Sequence, residues 1–125
     1  LPAAKAWAEY EASCSSLRGN EQSFSFLSKN DVILALARLE AHYLANNAFL
    51  EHGALIKNMD IIKHLPGIII QGRYDMVCPP ITADNLASLW PEAEYKIIND
   101  AGHSAFEPGT RDALIAATET MKQIR

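Results

Sequence analysis

A chain of 125 residues with 49% hydrophobic and 21% charged residues falls in the range of an ordinary soluble domain and outside that of a disordered segment. A formal charge of −4 and a pI near 5.5 argue against a DNA or RNA partner, which would need clustered Lys and Arg to displace counterions from phosphate. No apolar run approaches the roughly 20 residues that cross a bilayer, and the two cysteines, Cys14 and Cys78, lie too far apart in sequence to read as a disulfide framework or a zinc site. A reducing, cytoplasmic compartment is therefore expected. The first residues, LPAAKAWAEYEASC, already form an amphipathic run with no initiator Met or signal peptide before it, as expected of the C-terminal piece of something longer.

Pro2 suits the first turn of a helix, where its missing N–H is no loss, and Ala-rich sequence continues to about Leu17. RGNEQSFSFLSKN is polar and Gly/Asn/Ser-containing, a connection with two phenylalanines tucked against something. Asn30 or Asp31 can cap a second helix, in which Val32, Leu36, Leu39 and Tyr43 recur at three- and four-residue steps until Asn46 and Asn47 close the run. HGALIKNMDIIKHLP reads as a short helix and a turn ending at Pro66. GIIIQG is then a β-branched run between glycines, the pattern of a strand buried on both faces of a parallel sheet. ITADNLASLWPEA reads as helix, EYKIIND as a second strand, and PGTRDALIAATETMKQIR as a closing helix that Pro108 can start. Residues 1–64 are thus expected to be helical and residues 65–125 to form a βαβα unit with parallel strands.

In such a unit the loops after both strands share one rim, where ligands of open α/β sheets bind. The first of these loops carries Asp75 and Cys78, the second His103. An aspartate beside a histidine can accept its Nδ1–H, fix its tautomer and stabilise the imidazolium formed when the other nitrogen takes a proton. Spacing alone leaves a second reading open, in which Asp75 caps a turn and His103 is bonded to backbone. His42, His52 and His64 have no partners at metal-ligand spacing and read as structural or surface residues. Trp7, Tyr43, Phe49 and Trp90 read as packing residues.

GRYD and AGH resemble the acid and histidine loops of α/β-hydrolases. AWAEYE, ARLEAHYL, GIIIQGRYDMVCP and WPEAEYKIINDAGHSAFEP, in that order, resemble the C-terminal part of the proline iminopeptidase family. The resemblance implies the C-terminal portion of an α/β-hydrolase preceded by part of a helical cap. It also implies a serine aminopeptidase that releases N-terminal proline from peptides without metal or organic cofactor, with Asp75 and His103 as two members of its triad.

Such hydrolases carry their nucleophile upstream on a G-x-S-x-G elbow. No serine here has that setting: Ser104 follows Gly102 by two positions, but Phe106 stands where the second glycine belongs. The expectation is a piece without its nucleophile, inactive alone.

By the same resemblance Glu11 and Glu40 hold the substrate's free amino group and Cys78 lies near the substrate proline. Read without it, the glutamates are solvated helix residues, Glu9 competes with Glu11, and Cys78 is a small buried hydrophobe. Tyr10 departs from the family pattern, which has a second Trp there. Two other functions stay open: a different hydrolase with the same Asp and His, or a non-catalytic domain that self-associates through exposed strand edge and apolar surface.

Overall fold

The computed structural model of the chain describes residues 1–18 and 29–124, so the connection with its two phenylalanines lies outside the described residues. Helix α1 (Pro2–Ser15) has proline in its first turn and buries Ala8 and Ala12, one turn apart, against α2 (Asn30–Ala45). Two small side chains on one ridge let the helices approach closely. From α2 the buried contact is Ile33, only 1% exposed.

Two expectations for α2 are corrected. Neither Asn30 nor Asp31 caps it: the flanking residue is Lys29, no side-chain capping bond is made, and Asp31 sits inside the first turn. A carboxylate there still meets the positive end of the helix dipole. The expected apolar stripe is also not the packed one. Val32, Leu39 and Tyr43 are exposed, while Ile33, Leu36, Ala37 and Glu40 are buried or half-buried. At about 100° per residue the two stripes lie roughly a quarter-turn apart. Periodicity reveals that a helix is apolar over a broad arc, and the neighbour decides which part of the arc is covered.

Asn46 closes α2, and Asn47, Ala48 and Phe49 follow with φ of 49°, 53° and 58°. Left-handed backbone costs a non-glycine residue about 1–2 kcal/mol. The turn is braced by Phe49, whose ring packs against His42 and edge-on against Tyr43 at centroid distances of 5.2 and 5.6 Å. The short α3 (Ala54–Lys57) and a 3-10 turn at Met59–Ile61 lead to the sheet, with Met59 buried.

Strand β1 (Gly67–Gly72) pairs in parallel with β2 (Ala93–Ile98), in a register running from Gly67 opposite Ala93 to Gly72 opposite Ile98. Helix α4 (Pro80–Leu89) forms the crossover, and α5 (Pro108–Met121) follows β2; both pack on β1. Trp90, at the end of α4, donates its indole N–H to Leu65 O at 2.8 Å and pins the entry to β1. This is the βαβα unit with parallel strands that the pattern predicts. Ile68, Ile69 and Ile70 are half-buried rather than enclosed on both faces, because the sheet among the described residues has two strands. Among the same residues no helix is long and apolar enough to cross a membrane.

Candidate active site

The two loops that leave the sheet at its C-terminal edge are packed backbone to backbone. Arg73 N–H donates to Ile98 O and Tyr74 N–H to Ala101 O, which prolongs the strand pairing past the strands themselves. The approach is close enough that a Cβ on Gly72 would stand 1.9 Å from Gly102 O. Glycine at position 72 is thus a steric requirement, and it is what brings the aspartate loop and the histidine loop onto one rim.

Asp75 is 7% exposed and fully engaged. Its Oδ1 accepts the N–H groups of Val77 and Cys78 at 2.9 and 2.7 Å. Its Oδ2 faces His103 Nδ1 at 3.0 Å and accepts from Gln71 Nε2 at 3.3 Å. Gln71, also buried, donates to the carbonyls of Gly72 and Cys78 as well, so it ties strand end, acid and loop together. The His103 side chain is 38% exposed against 7% for its partner. With Nδ1 held by the acid, Nε2 is the nitrogen available for proton transfer, and among the described residues it has no hydrogen-bond partner. The backbone of the histidine loop is held by the end of α1, where Ser15 O accepts the N–H groups of His103 and Ser104 at 2.8 and 2.7 Å.

That docking brings α1 and α2 to the same place. Trp7 donates its indole N–H to Glu40 Oε2 at 2.7 Å, so Trp7 does more than pack. Glu11 stands beside Glu40, and its carboxyl is held above the usual carboxylate range, first by desolvation and then by the charge of Glu40 and a hydrogen bond with it. The charge of His103 acts in the opposite direction, which places the histidine within electrostatic reach of Glu11. Glu9, the competing carboxylate, is exposed. Asp75, His103, Glu11 and Glu40 therefore form one constellation: two carboxylates on helices next to an Asp–His pair on the sheet rim.

Cys78 joins it through its backbone N–H, while its thiol is exposed rather than packed as a buried hydrophobe. Local desolvation and the nearby Asp75 carboxylate push the thiol pKa up. His52 and His64 are exposed, and among the described residues no group of three or more His, Cys, Asp or Glu could hold a metal ion. A surface hollow of about 460 Å³ lies elsewhere, lined by Asn47, Leu50, Glu51, His52 and Gly53.

A family model described as the alpha/beta hydrolase fold matches residues 3–110. The chain belongs to that family. An alpha/beta hydrolase orders its triad Ser, acid, His along the chain, and Asp75 and His103 follow in that order on consecutive strand-end loops. The chain is similar to proteins named proline iminopeptidase: 43% identical over 123 residues to one from Arabidopsis thaliana, covering 98% of this chain and 32% of that protein. It is 42% identical over 120 residues to one from Xanthomonas citri, with 95% and 38% covered, and 39% identical over 123 residues to one from Neisseria gonorrhoeae, with 95% and 37% covered. The chain thus spans 32–38% of the length of these curated relatives.

Sequence reasoning passes over three residues in or around this constellation. Gln71 carries a readable signal, since a polar side chain ending an apolar strand needs buried partners. Trp7 carries none, because its partner lies 33 positions away, and neither does the bond from Glu107 to Leu17, 90 positions away.

Proposed function

We infer that the chain is the C-terminal part of a serine aminopeptidase that releases N-terminal proline from peptides. The observation that carries this is the pair of helix carboxylates, Glu11 and Glu40, set beside the Asp75–His103 pair. A peptide with N-terminal proline presents a secondary ammonium with two N–H donors. Two carboxylate acceptors satisfy both donors and neutralise the charge in a partly dry site. Trp7 bonds one oxygen of Glu40 and so fixes that carboxylate's orientation. With the amine so anchored, the scissile carbonyl falls toward His103.

In the complete protein a serine from the upstream part attacks that carbonyl. His103 Nε2 takes the serine proton and then delivers it to the leaving amine, while Asp75 holds the Nδ1–H tautomer and stabilises the imidazolium. Oxyanion donors come from the nucleophile turn and an earlier loop. On this reading the 125-residue chain holds the acid, the base and the amine site and is inactive alone.

The test is hydrolysis of proline p-nitroanilide, with a fluorophosphonate probe read by intact mass. The 125-residue chain is expected to give neither turnover nor label, and the full-length protein both. Glu40→Gln in the full-length protein is expected to raise KM for the proline substrate. Turnover unchanged by that substitution would remove the amine site and leave a hydrolase of another specificity. Label on the short chain would show that one of its own serines is the nucleophile.

A further inference from the structure

One buried carboxylate has no part in that mechanism. Glu107 is 7% exposed and sits four residues after His103, immediately before Pro108 and α5. Its side chain does not cap α5. It turns back instead: Oε2 accepts the N–H of Gly102 at 2.6 Å, and Oε1 accepts the N–H of Leu17 at 2.9 Å. One acceptor bond therefore goes to the residue before the base, and the other to the segment leaving α1.

These bonds do not stand alone. Ser15 O, at the last turn of α1, accepts the N–H groups of His103 and Ser104. Ser15 Oγ in turn donates to Glu11 O at 2.7 Å, one turn earlier on the same helix. Gly102 lies between: a Cβ there would come within 3.0 Å of Leu17 N and 3.2 Å of Ser15 O. The junction is a set of backbone contacts with the Glu107 carboxylate at its centre, which makes two acceptor bonds. Buried backbone N–H groups left unpaired are costly, so each donor binds its carboxylate oxygen strongly.

We propose that Glu107 is a positioning residue that fixes the register between α1, which carries Glu11, and the loop that carries His103. This deepens the aminopeptidase reading and rests on it. The amine is anchored on the helices and the proton is transferred on the sheet rim. The separation of the two sites therefore decides whether the scissile carbonyl meets the serine. Glu107 touches neither substrate nor base; it sets the distance between the groups that do. A displacement of about 1 Å between anchor and base can cost on the order of 100-fold in rate.

The experiment compares two substrates in the full-length protein: proline p-nitroanilide, which uses the helix carboxylates, and p-nitrophenyl acetate, which has no ammonium and relies on the nucleophile, the oxyanion donors, His103 and Asp75 but not on the helix carboxylates. Glu107→Gln can accept from only one of the two N–H groups and opposes the other with its own N–H. The expected result is a fall of ~100-fold in kcat/KM for the proline substrate, with ester turnover close to that of the unmodified protein.

A second variant, Leu17→Pro, removes the N–H donor and leaves the carboxylate intact. Ser16 already has φ −120° and ψ 136°, the conformation a residue before proline favours. Leu17→Pro is expected to lower the proline-to-ester ratio in the same direction, and the double variant is expected to lose little beyond either single one, because both cut the same bond.

Equal losses on both substrates would overturn the proposal and make Glu107 a support of the fold alone. So would fully multiplicative losses in the double variant, or no loss in Leu17→Pro. Failure of the underlying reading shows elsewhere, as an unmodified protein that hydrolyses the ester but not the proline substrate, and it would remove both.

Discussion

Asp75→Asn separates orientation from packing, because the structure dictates which way the new amide must face. The substituted side chain offers one oxygen and one NH2 where Asp75 offers two oxygens. With the NH2 toward Val77 and Cys78, two backbone donors lose their acceptor, at about 1–3 kcal/mol each. With the NH2 toward His103 and Gln71, the losses are smaller. Gln71 keeps the carbonyls of Gly72 and Cys78, and His103 can answer by moving its proton. The second orientation wins. Nδ1 then becomes an acceptor and Nε2 carries the proton, so the nitrogen that should take the serine proton already holds one. Losing the correct tautomer costs on the order of 10⁴ in kcat, or about 5 kcal/mol. The assay is kcat for proline p-nitroanilide in the full-length protein, with the His103 tautomer read from 15N ring shifts. Global stability should fall by only about 1 kcal/mol, since one hydrogen bond is exchanged for another of lower strength. A loss in kcat below about tenfold, or a His103 that keeps its proton on Nδ1, would refute the orientation argument.

Gly72→Ala is expected to destabilise the chain by at least about 3 kcal/mol, since its Cβ meets the backbone at Gly102 O and not a movable side chain; thermal melting should show Tm lower by roughly 10 °C. The Glu11 carboxyl is raised by desolvation and by Glu40, so folding favours its protonated form. Stability should therefore decrease as pH rises from the ordinary carboxylate pKa through the raised one, and Glu11→Gln should flatten that slope in denaturant titrations across the acidic range. In the full-length protein the same protonation should raise KM for proline p-nitroanilide as pH falls through the raised pKa, because the anchor loses its charge. The Cys78 thiol, raised by desolvation and by Asp75, should react with a bulky maleimide more slowly than a free thiol at neutral pH and faster in Asp75→Asn. Labelling should inhibit the full-length protein and Cys78→Ala should abolish that inhibition; inhibition that survives would place Cys78 outside the substrate's reach.

What the sequence disclosed and what it hid divide along a physical line. The strands and their loops are legible because β-branched runs between glycines and turn residues are local signals. Asp75 and His103 are legible because parallel topology puts strand-end loops together. The choice between Glu9 and Glu11 is not. At about 100° per residue they flank the Ala8–Ala12 ridge at nearly equal angles of about 80° on opposite sides. Only the placement of α2, with Glu40 and Trp7 on one flank, separates them. The apolar stripe of α2 fails for the same reason, since it depends on what lies against the helix.

Glu40 shows how such a residue could be read. It shares a face with Ile33, Leu36 and Ala37, the face that packs toward α1, where a carboxylate is costly unless partnered. Trp7 bonds one of its oxygens, and Glu11 adds a second negative charge instead of a compensating positive one. Two carboxylates held together at a helix interface, with an indole N–H bonded to one of them, make an arrangement that desolvation and like charge both disfavour. On the aminopeptidase reading, the substrate ammonium is the cation that offsets the Glu40 charge, which adds to desolvation in raising Glu11.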